Sequence, residues 1–194
     1  VISAIILAAG FARRFGSTKV LALLDGKPLV RHVVERLAHP AVGERIVVVP
    51  TLIGYGDALT GAEARLVVNE RAADGMSSSL IAGLTAVDAH AQAILVALGD
   101  QPTIAPEVIA RLIAEWQRTG MPIVAPSYRG ERRHPVLFAK EIFAELRTVS
   151  GDQGARELIE RRPDRVRLVT VDGEPPSDID SPQDLAALAR RQES

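Results

Sequence analysis

Seven short, continuous apolar runs constrain this chain more than any other feature: residues 4–7, 45–49, 65–68, 93–98, 122–125, 135–138 and 166–171. Each is rich in Val, Ile or Leu and bounded by turn residues, the pattern of strands covered on both faces. Helical periods lie between them. Leu29, Val30, Val33, Val34 and Leu37 form one apolar face before His39 and Pro40, and Val108, Ile109, Leu112, Ile113 and Trp116 form another before Gly120. Ser181, Pro182 and Asp184 supply an N-cap, a first-position proline and a first-turn acid for a last helix expected to run to about Arg190. Strands alternating with helices predict an α/β fold with a mainly parallel sheet and right-handed crossovers. The less regular run 127–156, with a strand at 135–138 and a hairpin-like excursion, is expected to break the alternation.

Length and composition bound the function. At 194 residues the chain suits one domain, 1–194, with a sizeable core. A formal net charge of −1 and the lack of a long basic run argue against nucleic acid or an anionic membrane as partner. The absence of cysteine excludes disulfides, thiolate metal ligation and thiol nucleophiles. No stretch reaches the length of a spanning helix, and the sequence enters a buried-strand pattern at once without a charged leader, so a cytoplasmic location is expected.

Open α/β sheets bind ligands outside the carboxyl ends of their strands, so the loops leaving those ends carry the chemistry. The first, within residues 4–19, combines Gly10 and Gly16 with Arg13, Arg14 and Lys19. Glycine lets backbone N–H groups approach phosphate oxygens, and the cations add charge at the same place, as a triphosphate requires. The loop is neither a GxGxxG fingerprint nor a Walker loop. Asp100 emerges from the 93–98 run and must meet a cation or water, although it also suits a turn ahead of the helix that Pro106 opens. Asp178 and Asp180, spaced by one residue, share a side if the segment is extended, and Asp180 also suits the cap of the last helix. Magnesium commonly takes one or two carboxylates plus substrate phosphates, and Asp100 with Asp180 offers such a pair.

Leu7-Ala8-Ala9-Gly10 followed by Arg14, Gly16 and Lys19 resembles the signature loop of the MobA-like nucleotidyltransferases. The GDxP acid at Asp100 and the DID[ST]PxDL ending at Asp178–Leu185 occur in the same order in that family. Gly75-Met76-Ser77-Ser78-Ser79-Leu80 resembles its GMSSSL segment. His134-Pro135-Val136-Leu137-Phe138 and Gly151-Asp152-Gln153-Gly154-Ala155-Arg156 resemble runs of the molybdopterin cytidylyltransferase branch. The resemblance implies a Rossmann-like three-layer α/β/α domain of the nucleotide-diphospho-sugar transferase type and transfer of CMP from CTP to molybdopterin, with release of pyrophosphate. It places Mg²⁺ on Asp100 and Asp180, and the triphosphate on Arg14, Lys19 and the backbone of Leu7, Ala8, Ala9 and Gly10. Asp100, Lys19 and Arg14 become the catalytic residues, Gly75, Ser77 and Ser78 line the nucleotide, and His134, Pro135, Asp152 and Arg156 receive the acceptor. A molybdoenzyme or its maturation factor is the implied protein partner.

Departures from that pattern matter. Arg133 stands where the branch has glycine, which puts an extra cation on the acceptor side. Ala12 and Phe15 replace the serine and methionine common in the first loop. The LAAG form leans toward CTP, because the guanylyl branch typically carries LAGG. GTP as donor stays open, as do sugar phosphates, methylerythritol phosphate or phospholactate as acceptors. A non-catalytic nucleotide- or cofactor-binding chaperone is the reading from another class; binding alone would need no pair of metal carboxylates.

Overall fold

Neighbouring residues of the first strand leave on opposite sides of one sheet. Ile6 joins an apolar cluster with Val47, Leu95 and Val124, whereas Ile5 joins a second with Val48, Val96 and Phe138. A pleated strand that is apolar in both directions has to be covered twice, and it is. The computed structural model describes residues 1–10 and 19–192. Its strands are β1 (Ile2–Leu7), β2 (Leu23–Leu24), β3 (Lys27–Pro28), β4 (Val42–Val49), β5 (Arg65–Val68), β6 (Ala93–Leu98), β7 (Ile123–Tyr128), β8 (Glu131–Arg132), β9 (Val136–Ala139) and β10 (Val166–Thr170). Its α-helices are α1 (Leu29–Arg36), α2 (Tyr55–Ala58), α3 (Met76–Ala86), α4 (Pro106–Thr119), α5 (Phe143–Leu146), α6 (Arg156–Arg161) and α7 (Pro182–Gln192).

The main sheet runs β10-β7-β9-β6-β1-β4-β5, with β8 paired to β7. β1 lies parallel to both β4 and β6, β5 parallel to β4, and β10 parallel to β7. β9 is antiparallel to both β6 and β7 and β8 is antiparallel to β7, so the 127–156 region does interrupt the alternation. Val30, Val33 and Val34 of α1 and Val108, Ile109, Leu112 and Ile113 of α4 cover one face. Leu80 and Leu84 of α3, Phe143 and Leu146 of α5 and Ile159 of α6 cover the other. This is the three-layer α/β/α arrangement. A third cluster joins Leu188 of α7 and Ile179 to Leu24 and Leu29, docking the chain's last helix beside the small β2–β3 hairpin.

Three expectations need correction. The 65–68 and 166–171 runs are not covered on both faces: β5 and β10 are the sheet's edges, where Val68 and Leu168 remain 39% and 45% exposed. β7 continues past Ala125 to Tyr128, because Ser127 is buried and paired with both Thr170 and Arg132 although its side chain is polar. The last helix extends two residues beyond Arg190, to Gln192. The β2–β3 hairpin turns through Asp25 and Gly26, both at positive φ (48° and 74°), the conformation a two-residue turn of this kind requires. Among the described residues no helix is long and apolar enough to cross a membrane.

α3 reaches the sheet through Gly83. A Cβ there would lie 2.5 Å from Ile5 Cγ2 and 3.0 Å from Val48 Cγ2, both in fully buried side chains. Alanine gains about 1 kcal/mol over glycine from helix propensity, but overpacking a closed core costs roughly 1–3 kcal/mol. Gly83→Ala is therefore expected to be neutral to destabilising by up to about 2 kcal/mol in chemical denaturation, where an exposed helical glycine would have been stabilised by the same change.

Candidate active site

β1 delivers Leu7, Ala8, Ala9 and Gly10 to the carboxyl edge of the sheet, and three hydrogen bonds fasten them there. Ala8 N–H donates to Val48 O (2.9 Å), Gly99 N–H donates to Leu7 O (2.9 Å), and Tyr55 Oη donates to Ala8 O (2.9 Å). Tyr55 is fully buried, and burial pushes its phenol up to about 12, so it stays a neutral donor. Ala8 and Ala9 are buried while Gly10 is exposed. Arg13, Arg14 and Gly16, with Ala12 and Phe15, lie outside the described residues. Tyr55 gave no sequence signal, since the four-residue helix it opens, α2, is too short to show a period.

Lys19, just beyond that loop, links three distant parts of the chain. Its Nζ donates to Asp100 Oδ2 at 2.6 Å and to Asp180 Oδ1 at 2.8 Å. The side chains of Lys19, Asp100 and Asp180 are 13%, 20% and 63% exposed, so the pair is half withdrawn from water. Burial pulls the Lys19 pKa down, but the two carboxylates outweigh it and the group sits above its ordinary value. Asp100 sits above its ordinary value as well, because burial outweighs the contact with Lys19. Its second oxygen, Oδ1, is buried and has no hydrogen-bond partner among the described residues.

The two acidic segments are stitched together by their backbones. Ile179 N–H donates to Asp100 O (3.2 Å), and Ser177 N–H donates to Thr103 Oγ1 (2.9 Å). Buried Ile179 faces the third apolar cluster, which leaves Asp178 and Asp180 exposed on the opposite side. Ser181 and Asp184 cap α7 reciprocally: Asp184 N–H donates to Ser181 Oγ (3.2 Å) and Ser181 Oγ donates to Asp184 Oδ2 (2.7 Å). Asp180 contributes its backbone N–H to this cap, bonded to Asp184 Oδ2 at 3.1 Å, while its carboxylate turns to Lys19. The cap and the contact with Lys19 thus fall on different atoms of the same residue.

Beside this centre lies a cleft of about 800 Å³. Leu7, Val96, Leu98, Val136 and Phe138 supply apolar lining, and His134, Asp152, Arg156, Arg132, Arg133, Gln101 and Asp178 supply polar groups. The structure therefore brings together three of the four residues expected to receive the acceptor; the fourth, Pro135, is buried behind His134 and joined to it by a cis peptide bond. Gln101, 3% exposed, connects the cleft to the acids, its Nε2 donating to Asp178 Oδ1 at 2.7 Å. Arg156 pairs with Glu160 (2.7 Å) and Arg133 with Glu131. The Arg132 side chain makes no hydrogen bond or close ion pair among the described residues, and burial lowers its pKa. The role of Gln101 was missed in the sequence because a glutamine after an aspartate has no spacing to read.

The 151–154 loop closes onto the start of α3. Ser77 N–H donates to Gly151 O (3.0 Å), so this N–H is not free for a ligand. Ser78 Oγ serves the same turn, donating toward Arg71 O and Gly75 O and accepting from Asn69. Ser77 Oγ is buried without a partner among the described residues. Gly75 has φ +100°, and a Cβ would lie 2.4 Å from Asp152 Oδ1 and 2.8 Å from the Gly151 backbone.

Two outcomes are expected from these contacts. Gly75→Ala must displace the 151–154 loop and adopt a disfavoured φ, so it should lower thermal stability and loosen Asp152 and Gly154, read as faster amide exchange there. His134 is half-buried, and loss of hydration followed by the nearby Arg132 charge pushes its pKa from 6.5 down to about 4. The unfolded chain then binds the proton first as pH falls, so stability is lost on acidification from about 6.5 toward 4. His134→Gln should reduce the fall in denaturation midpoint between pH 7 and pH 5 relative to wild type.

Comparisons with known proteins identify the family. Residues 4–166 match the MobA-like NTP transferase domain. A molybdenum cofactor guanylyltransferase from Burkholderia ambifaria is 33% identical over 204 residues, covering 98% of this chain and 96% of that protein. A nicotine blue oxidoreductase from Paenarthrobacter nicotinovorans is 31% identical over 199 residues, covering 96% of each. Among solved structures, a mycobacterial protein from strain JC1 superposes with a TM-score of 0.81 at 28% identity, covering 98% and 96% of the two chains. A related Mycobacterium tuberculosis protein, solved in complex with manganese, gives 0.77 at 27%, covering 97% and 98%. The chain belongs to the MobA-like NTP transferase family and is a nucleotidyltransferase.

Proposed function

We propose that this nucleotidyltransferase moves a nucleoside monophosphate from a nucleoside triphosphate to the terminal phosphate of a molybdopterin, an acceptor oxygen bonding to the α-phosphorus as pyrophosphate leaves. The observation that carries this reading is the convergence of Asp100 and Asp180, 80 positions apart, on one cation-sized point occupied by Lys19 Nζ. Among the described residues no group of three or more His, Cys, Asp or Glu encloses a metal. Two carboxylates plus substrate phosphates suit magnesium, and the partnerless Asp100 Oδ1 leaves an oxygen for it. Asp100 and Asp180 would hold such an ion, which would neutralise charge developing at the α-phosphate. The fastened backbone of Leu7–Gly10, with Lys19 and Arg14, would hold the triphosphate and the departing pyrophosphate. Gly75, Ser77 and Ser78 would lie toward the nucleoside, and His134, Asp152 and Arg156 toward the acceptor. His134, neutral above pH 5, would act by hydrogen bonding and not as a fixed charge.

GTP is the donor favoured by the relatives' names, since the molybdenum cofactor enzymes found are guanylyltransferases. CTP is the second reading, supported by Ala9, whose buried methyl stands where the guanylyl branch typically has glycine. The test is pyrophosphate release with Mg²⁺ and each of GTP, CTP, ATP and UTP, with and without molybdopterin. Release is expected with one of GTP or CTP and only with the pterin. Asp100→Ala should reduce it by at least roughly 100-fold, the loss of a transition-state charge contact. Absence of release with every triphosphate would sink the transfer to molybdopterin.

A further inference from the structure

Lys19 holds the position that the proposed reaction assigns to a metal. A divalent cation of magnesium's size binds carboxylate oxygens at about 2.0–2.1 Å, and the ammonium already sits 2.6 and 2.8 Å from one oxygen of each carboxylate. Both cations cannot lie between the same two oxygens. We infer that Lys19 is an internal counter-cation that closes the Asp100–Asp180 site against free divalent metal, and that a nucleoside triphosphate opens it by drawing the ammonium onto its phosphates. This rests on the nucleotidyl-transfer reading.

Two observations support it. Lys19 is only 13% exposed on its side chain and is anchored by Val20, which is buried in the core beside it, so its head group moves by rotation of its own stem. Asp100 is itself largely buried, so the ammonium cannot leave without another cation arriving, and it cannot settle elsewhere in a half-dry site without another anion. A metal–triphosphate complex supplies both at once. Metal and nucleotide binding are then linked, each raising affinity for the other by the same factor.

The probe is Mn²⁺ alone, titrated without nucleotide and followed by the electron paramagnetic resonance of the free ion. Wild type should bind it weakly. Lys19→Met, which keeps the stem and removes the charge, should bind it on the order of tenfold tighter or more, and Lys19→Gln should do the same. The gain should vanish when Asp180→Asn is added. Lys27→Met, which removes an exposed lysine paired instead with Glu35, should leave Mn²⁺ affinity unchanged. Equal or weaker Mn²⁺ binding by both folded Lys19 variants would overturn the inference, as would a gain of equal size in Lys27→Met. Titration of wild type with GTP or CTP plus Mn²⁺ separates the two readings. If the triphosphate binds but the Lys19 variants gain nothing, only this inference falls; if the variants gain but no triphosphate binds, the nucleotide-driven opening and the transfer reading fall together.

Discussion

A sheet that is apolar on both faces leaves its polar chemistry one place to go. Ile5 and Ile6 are both fully buried, as are Ile94 and Leu95 of the adjacent strand, so nothing charged can stand within the central strands without large desolvation cost. Charge appears where the strands stop. Lys19 follows the loop after β1, Asp100 follows β6, and Asp180 closes the segment that returns to that edge before α7. Lys19 opens a 3₁₀ turn, Lys19–Leu21, held by Val20 in the core, and Ile179, buried against Leu24, Leu29 and Leu188, brings Asp180 to it. The ion pair is thus a product of the hydrophobic arrangement, while the sheet owes nothing to the pair for its order.

This explains what the sequence could and could not disclose. Runs of Val, Ile and Leu report burial on two faces, so the central strands were legible; 93–98 coincides with β6, while β1 and β4 begin two and three residues before the runs at 4–7 and 45–49. The same signal misled at β5 and β10, because an edge strand can be as apolar as a central one, and edge position depends on pairing order, which no local pattern encodes. The acids were legible because a carboxylate leaving a buried strand is physically exceptional. Tyr55 and Gln101 were not. One acts through a hydrogen bond across 47 positions of sequence and the other across 77, and their residue types are ordinary for loops.

The electrostatics of the centre also follow from burial more than from net charge. Asp100 is raised despite its lysine, and His134 is held neutral although Asp178 favours its proton. Desolvation is the largest influence in both cases. Excluded water makes each remaining charge count for more, so a site with few ionic groups can still stabilise a highly charged reactant.

The arrangement further separates the acid-bearing centre from one wall of the cleft beside it. Lys19 opens the 3₁₀ turn Lys19–Leu21, Asp100 follows β6 and Asp180 precedes α7, elements that belong to the regular parallel part of the fold or dock against it. The opposite wall of the cleft comes from the β8–β9 excursion and the 151–156 loop, elements attached to the antiparallel interruption. Arg133, a departure from the family pattern, lies on that second wall and pairs within its own hairpin to Glu131. Among the described residues no strand pairing or helix cap that positions Asp100 or Asp180 passes through β8, so substitutions there leave both carboxylates in place.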